Sequence, residues 1–148
     1  MIEQHRRVLI CDDDPEMRHL LVASLRHKAL QIDLAHDGAS AIELLRANRY
    51  AVVLLDLMMP GIDGFGVLDA IDHEKDPPVV LVVSGAGRTV LDRLDSRKIH
   101  GVVKKPFDPI ELAEVVASCA ELRGRGTFEV MAVATMVAGA PLIALLEL

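Results

Sequence analysis

Five side chains that could act on a phosphoryl group are spread widely along this chain. All five come at or just after the end of a short apolar run, and they are Asp12, Asp13, Asp56, Ser84 and Lys105. Carboxylate oxygens are ligands that Mg²⁺ prefers in proteins. A hydroxyl and an ammonium group can both donate hydrogen bonds to phosphate oxygens. The residue types are therefore suited to chemistry with a divalent metal and a phosphoryl group.

The apolar runs that precede these residues predict where they meet. The runs cover residues 8–11, 51–55, 79–83 and 102–103 and consist largely of Val, Leu and Ile. Unbroken runs of this kind are typical of parallel strands that are buried on both faces of a sheet. A residue directly after such a strand lies at the carboxyl edge of the sheet, where open α/β folds bind their ligands. We therefore expect three carboxylates, a hydroxyl and an amine on one rim.

Helical patterns alternate with the strands through residue 122. The first helix is predicted to begin at Pro15 with Asp14 as its cap. Apolar residues at helical spacing predict its buried stripe, and they are Met17, Leu20, Leu21 and Leu25.

The remaining elements complete five strand–helix units. A strand is predicted over residues 31–36 with Ile32 and Leu34 inward. Further helices are predicted over residues 39–48, 65–73 and 88–97 and from Asp108 onward, where Glu111 occupies a capping-box position. Such alternation predicts an α/β fold, a doubly wound parallel sheet with helices on both faces. Residues 1–122 are expected to form this single domain.

Four sequence blocks resemble the receiver domain of bacterial two-component response regulators. They occur in the family's order and at family-like separations, over residues 6–122, and they are Val8–Asp14, Leu55–Gly64, Val83–Gly85 and Lys104–Phe107. The resemblance implies a flavodoxin-like, five-stranded sheet in the order 2-1-3-4-5, which hydrophobic periodicity alone cannot supply.

The resemblance also implies a role for each carboxylate. Asp56 would be the phospho-acceptor, modified by the phosphohistidine of a sensor histidine kinase or a phosphotransfer protein. Mg²⁺ would be bound by Asp13, Asp56 and the backbone carbonyl of Met58, with Asp12 acting mainly through a metal-bound water. Because clustered carboxylates resist ionising together, at least one is expected to have a raised pKa.

Lys105 and Ser84 would contact the phosphoryl group. Lys105 is expected to pair with Asp56 before modification, and the family implies a cis bond to Pro106. Lys104 is an alternative candidate for this role only because it is adjacent to Lys105. Phosphorylation would switch the face made by the fourth helix, fifth strand and fifth helix, and thereby the binding of a downstream protein. The family usually has an aromatic residue or His at position 102, where this chain has Val102.

Two other functions compete with phospho-acceptance as interpretations of the sequence. One is a Mg²⁺-dependent phosphatase or phosphotransferase that acts on an external substrate. Such enzymes usually need a further acid near the nucleophile and a cap over the substrate, but Leu57 and Met58 follow Asp56 and no cap insertion is visible. The other is a scaffold that works without phosphorylation, which predicts loss of site residues that are all present. The chain is therefore not expected to be an enzyme beyond its own phosphorylation and dephosphorylation.

Composition narrows the range of partners and locations. The net charge is −6 and no basic stripe is visible, so direct nucleic-acid binding is not expected. The first residues lack the apolar core of a signal peptide, and Cys11 and Cys119 form no spacing motif, which favours a reducing cytoplasm.

Residues 123–148 form an apolar C-terminal tail. The run of residues 130–146 is uncharged, Ala-rich and interrupted by Pro141, so a membrane span is not favoured. Three alternatives are an extra helix, the truncated start of an output region, and a dimerisation element that makes a homodimer.

Overall fold

The computed structural model describes residues 6–123 of the chain. The predictions for the tail, residues 124–148, lie outside the described residues. Strands and helices alternate along the whole described chain, in the order β1 (Arg7–Cys11), α1 (Pro15–Leu25), β2 (Gln31–Ala35), α2 (Gly38–Ala47), β3 (Val52–Leu55), α3 (Gly64–Asp72), β4 (Val79–Ser84), α4 (Arg88–Leu91), β5 (Gly101–Lys104) and α5 (Pro109–Leu122).

The five strands form one parallel sheet in the order β2-β1-β3-β4-β5, as the resemblance implied. Side chains of alternate strand residues enter two separate cores. One core lies under α1 and α5 and includes Ile10 and Leu54; the other lies under α2 and α3 and includes Leu9 and Val53. Burial on both faces explains why these strands are unbroken apolar runs.

Acidic residues begin four of the helices. Asp14, Asp37, Asp63 and Asp108 each accept hydrogen bonds from backbone N–H groups of the first helical turn. These bonds satisfy amide groups that have no partner within the helix. The predicted caps Asp14 and Asp108 are confirmed. Glu111 does not complete a capping box within the described residues; it contributes its own N–H to Asp108 at 3.4 Å.

Two residues predicted to be buried are exposed. Leu20 is 42% exposed, and Leu34 is 43% exposed. Leu20 lies about 100° around the helix from its buried neighbour Leu21, which places it at the margin of the apolar stripe. Leu34 lies on β2, which is an edge strand of the sheet, so helices cover its face incompletely. Ile32, on the same strand, does pack against the core.

The fourth helix is shorter than the predicted span of residues 88–97. It covers only Arg88–Leu91, and its N-cap Gly87 provides no side-chain hydrogen bond. Beyond Leu91, the carboxylate of Asp95 accepts a hydrogen bond from the N–H of Arg97 at 3.0 Å. Such local side-chain bonds compete with the helical pattern. The segment after α4 therefore proceeds in turns.

The end of α5 is tied to the loop before β4. Arg123 Nη2 donates to Asp76 Oδ1 at 2.7 Å and to the carbonyl oxygens of Asp76 and Pro77 at 3.1 and 2.9 Å. No helix among residues 6–123 is long and apolar enough to cross a bilayer.

Candidate functional site

Three carboxylates meet at the carboxyl edge of the sheet. Strands β1 and β3 are neighbours, and Cys11 lies opposite Leu55, so the residues that follow them are brought side by side. The N–H of Asp56 donates to the Cys11 carbonyl at 2.9 Å, which extends this pairing by one residue. One oxygen from each of Asp12, Asp13 and Asp56 lies within 4.8 Å of the others. The predicted acidic cluster is thus present.

Every polar atom of Asp12 takes part in a hydrogen bond. Its backbone N–H donates to Ala35 at 3.1 Å, and its carbonyl accepts from Arg18 Nη1 at 2.7 Å. Its two carboxylate oxygens accept from the Asp14 N–H at 2.9 Å and from Lys105 Nζ at 3.0 Å. Asp12 is buried, whereas Asp13 is exposed. The cluster therefore joins one rigidly held carboxylate to one that faces solvent.

Asp56 is almost fully buried, with 7% of its surface exposed. Burial raises the pKa of its carboxyl group, and the charges of Asp12 and Asp13 raise it further. The nearby Lys105 ammonium and a hydrogen bond from the Met58 N–H, 3.3 Å long, oppose this rise in pKa. The expectation of a raised pKa is confirmed, although burial contributes more than the repulsion on which the expectation was based.

Lys105 brings a positive charge between two of the carboxylates. Its Nζ lies 3.0 Å from Asp12 Oδ2 and 3.7 Å from Asp56 Oδ2. Pairing was expected with Asp56, and the structure adds a shorter contact with Asp12. The bond to Pro106 is cis, as predicted, and the rival Lys104 is exposed.

Ser84 ends β4 and is buried. Its Oγ accepts a hydrogen bond from the Ala86 N–H at 3.0 Å, which stabilises the turn after the strand. That bond uses a lone pair of the oxygen and leaves the hydroxyl hydrogen free to be donated elsewhere. Val102, the departure from the family pattern, is fully buried on β5.

The loop that carries Asp56 is packed tightly against glycines. A Cβ atom at Gly64 would lie 2.6 Å from the carbonyl oxygen of Asp56, and one at Gly38 would lie 2.0 Å from the carbonyl oxygen of Ile62. Any larger residue would therefore push the loop away from its neighbours. Met58 lies two residues after Asp56 on this loop, with 59% of its surface exposed.

The donor set fits a magnesium ion. Mg²⁺ takes oxygen ligands at about 2.0–2.1 Å in an octahedron, so that opposite ligands are about 4.2 Å apart. The oxygens of Asp12, Asp13 and Asp56 are within 4.8 Å of one another. A small closure would bring them to that spacing, and a carboxylate that stays farther away could act through a metal-bound water. The buried Asp12 is already bound by Lys105, which leaves Asp13 and Asp56 as the candidates for direct contact with an ion.

Sequence reasoning missed Arg18. Its guanidinium reaches back from α1 to the Asp12 carbonyl. An arginine on the polar face of a predicted helix is usually a solvated charge, and no spacing signal distinguishes this one.

Comparison with known proteins places the chain in a family. The profile of the response regulator receiver domain matches residues 8–117. The chain belongs to the response regulator receiver domain family. It is a receiver domain of two-component signal transduction, as the resemblance of the four sequence blocks implied.

Two relatives of this receiver domain are transcriptional regulators by name. It is 34% identical over 113 residues to the probable transcriptional regulator ycf27 of Galdieria sulphuraria, a match that covers 75% of this chain and 44% of the relative. It is 35% identical over 106 residues to the transcriptional regulatory protein SrrA of Staphylococcus aureus, covering 71% of this chain and 44% of the relative. The chain therefore spans less than half the length of these relatives.

Solved receiver structures have the same fold. Response regulator TrrA of Thermotoga maritima, in complex with Mg²⁺ and BeF, is 31% identical with a TM-score of 0.68, and the match covers 77% of this chain and 98% of that one. The receiver domain of Francisella response regulator 1452 is 25% identical with a TM-score of 0.70, covering 78% and 97%.

Proposed function

We propose that this receiver domain accepts a phosphoryl group on Asp56, in a reaction that depends on Mg²⁺. The observation that carries the proposal is the convergence of three carboxylates within 4.8 Å, with the Lys105 ammonium 3.7 Å from Asp56. Two of the three carboxylates, those of Asp12 and Asp56, are buried, and holding such charges close together is costly unless cations compensate them. The relative TrrA forms a complex with Mg²⁺ and BeF, which supports magnesium binding by a chain of this fold.

The transfer would proceed by attack of an Asp56 carboxylate oxygen on phosphorus. The new O–P bond forms as the P–N bond of a donor phosphohistidine breaks, and the imidazole nitrogen keeps the electron pair. A bound Mg²⁺ would neutralise charge on the phosphoryl oxygens. Lys105 would then donate to a phosphate oxygen, and the free hydroxyl hydrogen of Ser84 would donate to another.

Magnesium would be held by the carboxylates of Asp13 and Asp56 and by the Met58 carbonyl, with Asp12 acting through a bound water. The exposure of Asp13 supports entry of the ion from solvent. The position of Asp56 at 7% exposure supports a reaction that occurs away from bulk water.

The consequence of modification would be a change in partner binding. Attraction of Ser84 to the phosphoryl group would draw the turn at Ala86 inward, and this turn leads directly into α4. A surface made by α4, β5 and α5 would then be offered to a downstream protein or an attached output domain. The donor would be a sensor histidine kinase or a phosphotransfer protein. We propose further that the domain is not an enzyme, acts in the cytoplasm and does not itself bind nucleic acid.

Intact-mass spectrometry tests the proposal directly. The full chain is incubated with a small acyl-phosphate donor and Mg²⁺, and we expect one added phosphoryl group that is absent without the metal. Asp56→Asn should add none. Asp63→Asn is the matched control, because Asn also serves as a helix cap, and it should be labelled like the parent. Equal labelling of Asp56→Asn would refute the assignment.

For the tail, residues 123–148, self-association remains our proposal. The motive is its long apolar run, which would bury itself against a second copy. Light scattering of the full chain should give the mass of a dimer. A monomer in dilute buffer without detergent would exclude this role.

A further inference from the structure

One side chain outside the predicted site is bonded to the backbone of the acidic cluster. Arg18 lies in the first turns of α1, and its Nη1 donates to the Asp12 carbonyl oxygen at 2.7 Å. Its own backbone N–H donates to the Asp14 carbonyl at 3.1 Å. Arg18 therefore binds both sides of the short turn that contains Asp13.

The bonded carbonyl belongs to the peptide that connects Asp12 to Asp13. The ladder between β1 and β2 ends with the Asp12 N–H, so the Asp12 carbonyl points beyond the strand and needs another donor. Arg18 supplies it through a charge-assisted hydrogen bond, which is stronger than a neutral one. Because a peptide unit is planar, holding this oxygen also fixes the direction in which the chain enters Asp13.

Asp13 is the member of the cluster most in need of such support. Asp12 is anchored through its backbone and both carboxylate oxygens, and Asp56 is buried and bonded to the Met58 N–H. The Asp13 side chain is exposed. Its position therefore depends on the backbone that carries it.

We infer that Arg18 is a positioning residue for the magnesium site, because it fixes the Asp12–Asp13 peptide and thereby aims the Asp13 carboxylate at Asp56. The inference rests on the proposed function, since it concerns the same ion. Arg18 makes no contact with the ion's ligands through their carboxylates; it acts through the main chain alone.

If Arg18 positions the backbone, its removal should weaken Mg²⁺ binding, whereas if it acts only through its charge, its removal should strengthen it. A guanidinium near three carboxylates lowers the local negative potential, so its removal would strengthen cation binding if charge were its only effect. Loss of the backbone anchor would instead weaken binding, because the ligands would have to be ordered as the ion binds. The sign of the change therefore separates the two roles.

The experiment is a magnesium titration of the full chain, followed by amide NMR shifts at constant ionic strength. Arg18→Met should weaken Mg²⁺ binding about fivefold or more, and Arg18→Lys, which keeps a charged donor, should recover part of the loss. Arg26→Met is the matched control: it removes the same charge from the exposed end of the same helix, and it should bind like the parent. Without metal, the Asp13 amide should shift in Arg18→Met and remain near the parent's position in Arg26→Met.

The outcomes separate this inference from the proposed function. A parent that fails to bind Mg²⁺ overturns the proposed function and this inference together. If the parent binds and Asp13→Asn does not, the site is as proposed. Equal or tighter binding by Arg18→Met would then overturn only the role of Arg18, as would a loss of thermal stability with unchanged affinity. If Arg18→Met does not fold, Arg18→Ala takes its place, because Ala favours the helix and has no donor; equal affinity in that variant with an unchanged Asp13 amide overturns the role of Arg18 too.

Discussion

Lys105 Nζ donates a hydrogen bond to Asp12 Oδ2 across a distance of 3.0 Å, which joins the end of β5 to the end of β1. The strands themselves are separated in the sheet by β3 and β4. This ion pair thus spans the edge on which the other carboxylates lie. It provides the proposed magnesium site with a cation that would share the carboxylates with an incoming metal ion.

Replacing Lys105 by Met should strengthen Mg²⁺ binding to the unmodified protein. A monovalent and a divalent cation about 5 Å apart repel by roughly 1.7 kcal/mol even at the dielectric constant of water. Relief of that repulsion corresponds to an increase in affinity of about tenfold or somewhat more. Magnesium titration by NMR measures it, with the exposed Lys104→Met as control. Affinity equal to the parent's would show that Lys105 does not influence the metal site.

Asp56→Asn should stabilise the metal-free protein at neutral pH. Burial raises the pKa of Asp56 in the folded state, so ionisation of this group costs folding free energy. The stability that the protonated group contributes is present below the unfolded pKa of about 3.9 and is lost as pH rises through the folded pKa. The gain from Asn should therefore be absent in strong acid and full at neutral pH. Urea unfolding across this range measures the difference, with Asp63→Asn as control. A gain that persists unchanged in acid would contradict the assignment.

The phosphorylated protein should lose its phosphoryl group slowly. Met58 and Ala86 stand two residues after Asp56 and Ser84, and neither side chain can orient an attacking water by hydrogen bonding. Met58 is 59% exposed, so a substitution there leaves the core intact. Met58→Asn should increase the rate of hydrolysis about tenfold, because its amide can hydrogen-bond and orient the attacking water. Time-resolved intact mass follows it, and Met58→Leu should resemble the parent. Equal rates for the Asn variant and the parent would refute the idea.

The stability of the protein should fall in mild acid because of His100. Its Nδ1 accepts a hydrogen bond from the Val80 N–H at 3.0 Å, and burial lowers its pKa, with the charge of Arg123 lowering it further. A histidine with a lowered folded pKa contributes stability above its unfolded pKa of about 6.5, and loses it as pH falls through the folded value.

His100→Asn would retain an acceptor for Val80 and cannot titrate. Its free energy of unfolding should depend less on pH below about 6.5 than the parent's does. Denaturant unfolding at several pH values is the measurement, and the exposed His27→Asn is the control, which should follow the parent. Identical pH profiles for parent and His100→Asn would eliminate this contribution.

The sequence predicted which side chains meet at the carboxyl edge of the sheet, because strand ends are easy to recognise. Asp12 and Asp56 follow apolar runs, and parallel pairing of those runs brings their ends together whatever the details of the loops. The nearer partner of Lys105 was not predictable. Whether Lys105 lies nearer to Asp12 or to Asp56 depends on the turn after β1, where the Asp14 N–H fixes the orientation of the Asp12 side chain.

The predictions that the structure contradicts concern the burial of individual side chains and the length of one short helix. Leu20 and Leu34 are apolar residues with the correct periodicity, but exposure depends on how far a neighbouring element extends. The length of α4 depends on competition between helix bonds and the Asp95 side chain, for which Gly87 supplies no compensating cap. The contact of Arg18 with a backbone carbonyl has no sequence signature at all.

The anchoring of Arg123 to Asp76 and Pro77 has a consequence for signal transmission. These residues lie before β4, at the amino edge of the sheet, whereas Asp56 lies at the opposite edge. At about 3.3 Å per residue, a strand of five or six residues places roughly 15–20 Å between the two edges. The chain after residue 123 therefore starts from the edge of the sheet opposite to Asp56. Within the described residues, α5 connects the two edges, so a change at Asp56 that travels along this helix would reach residue 123 through the packing of α5 on the sheet.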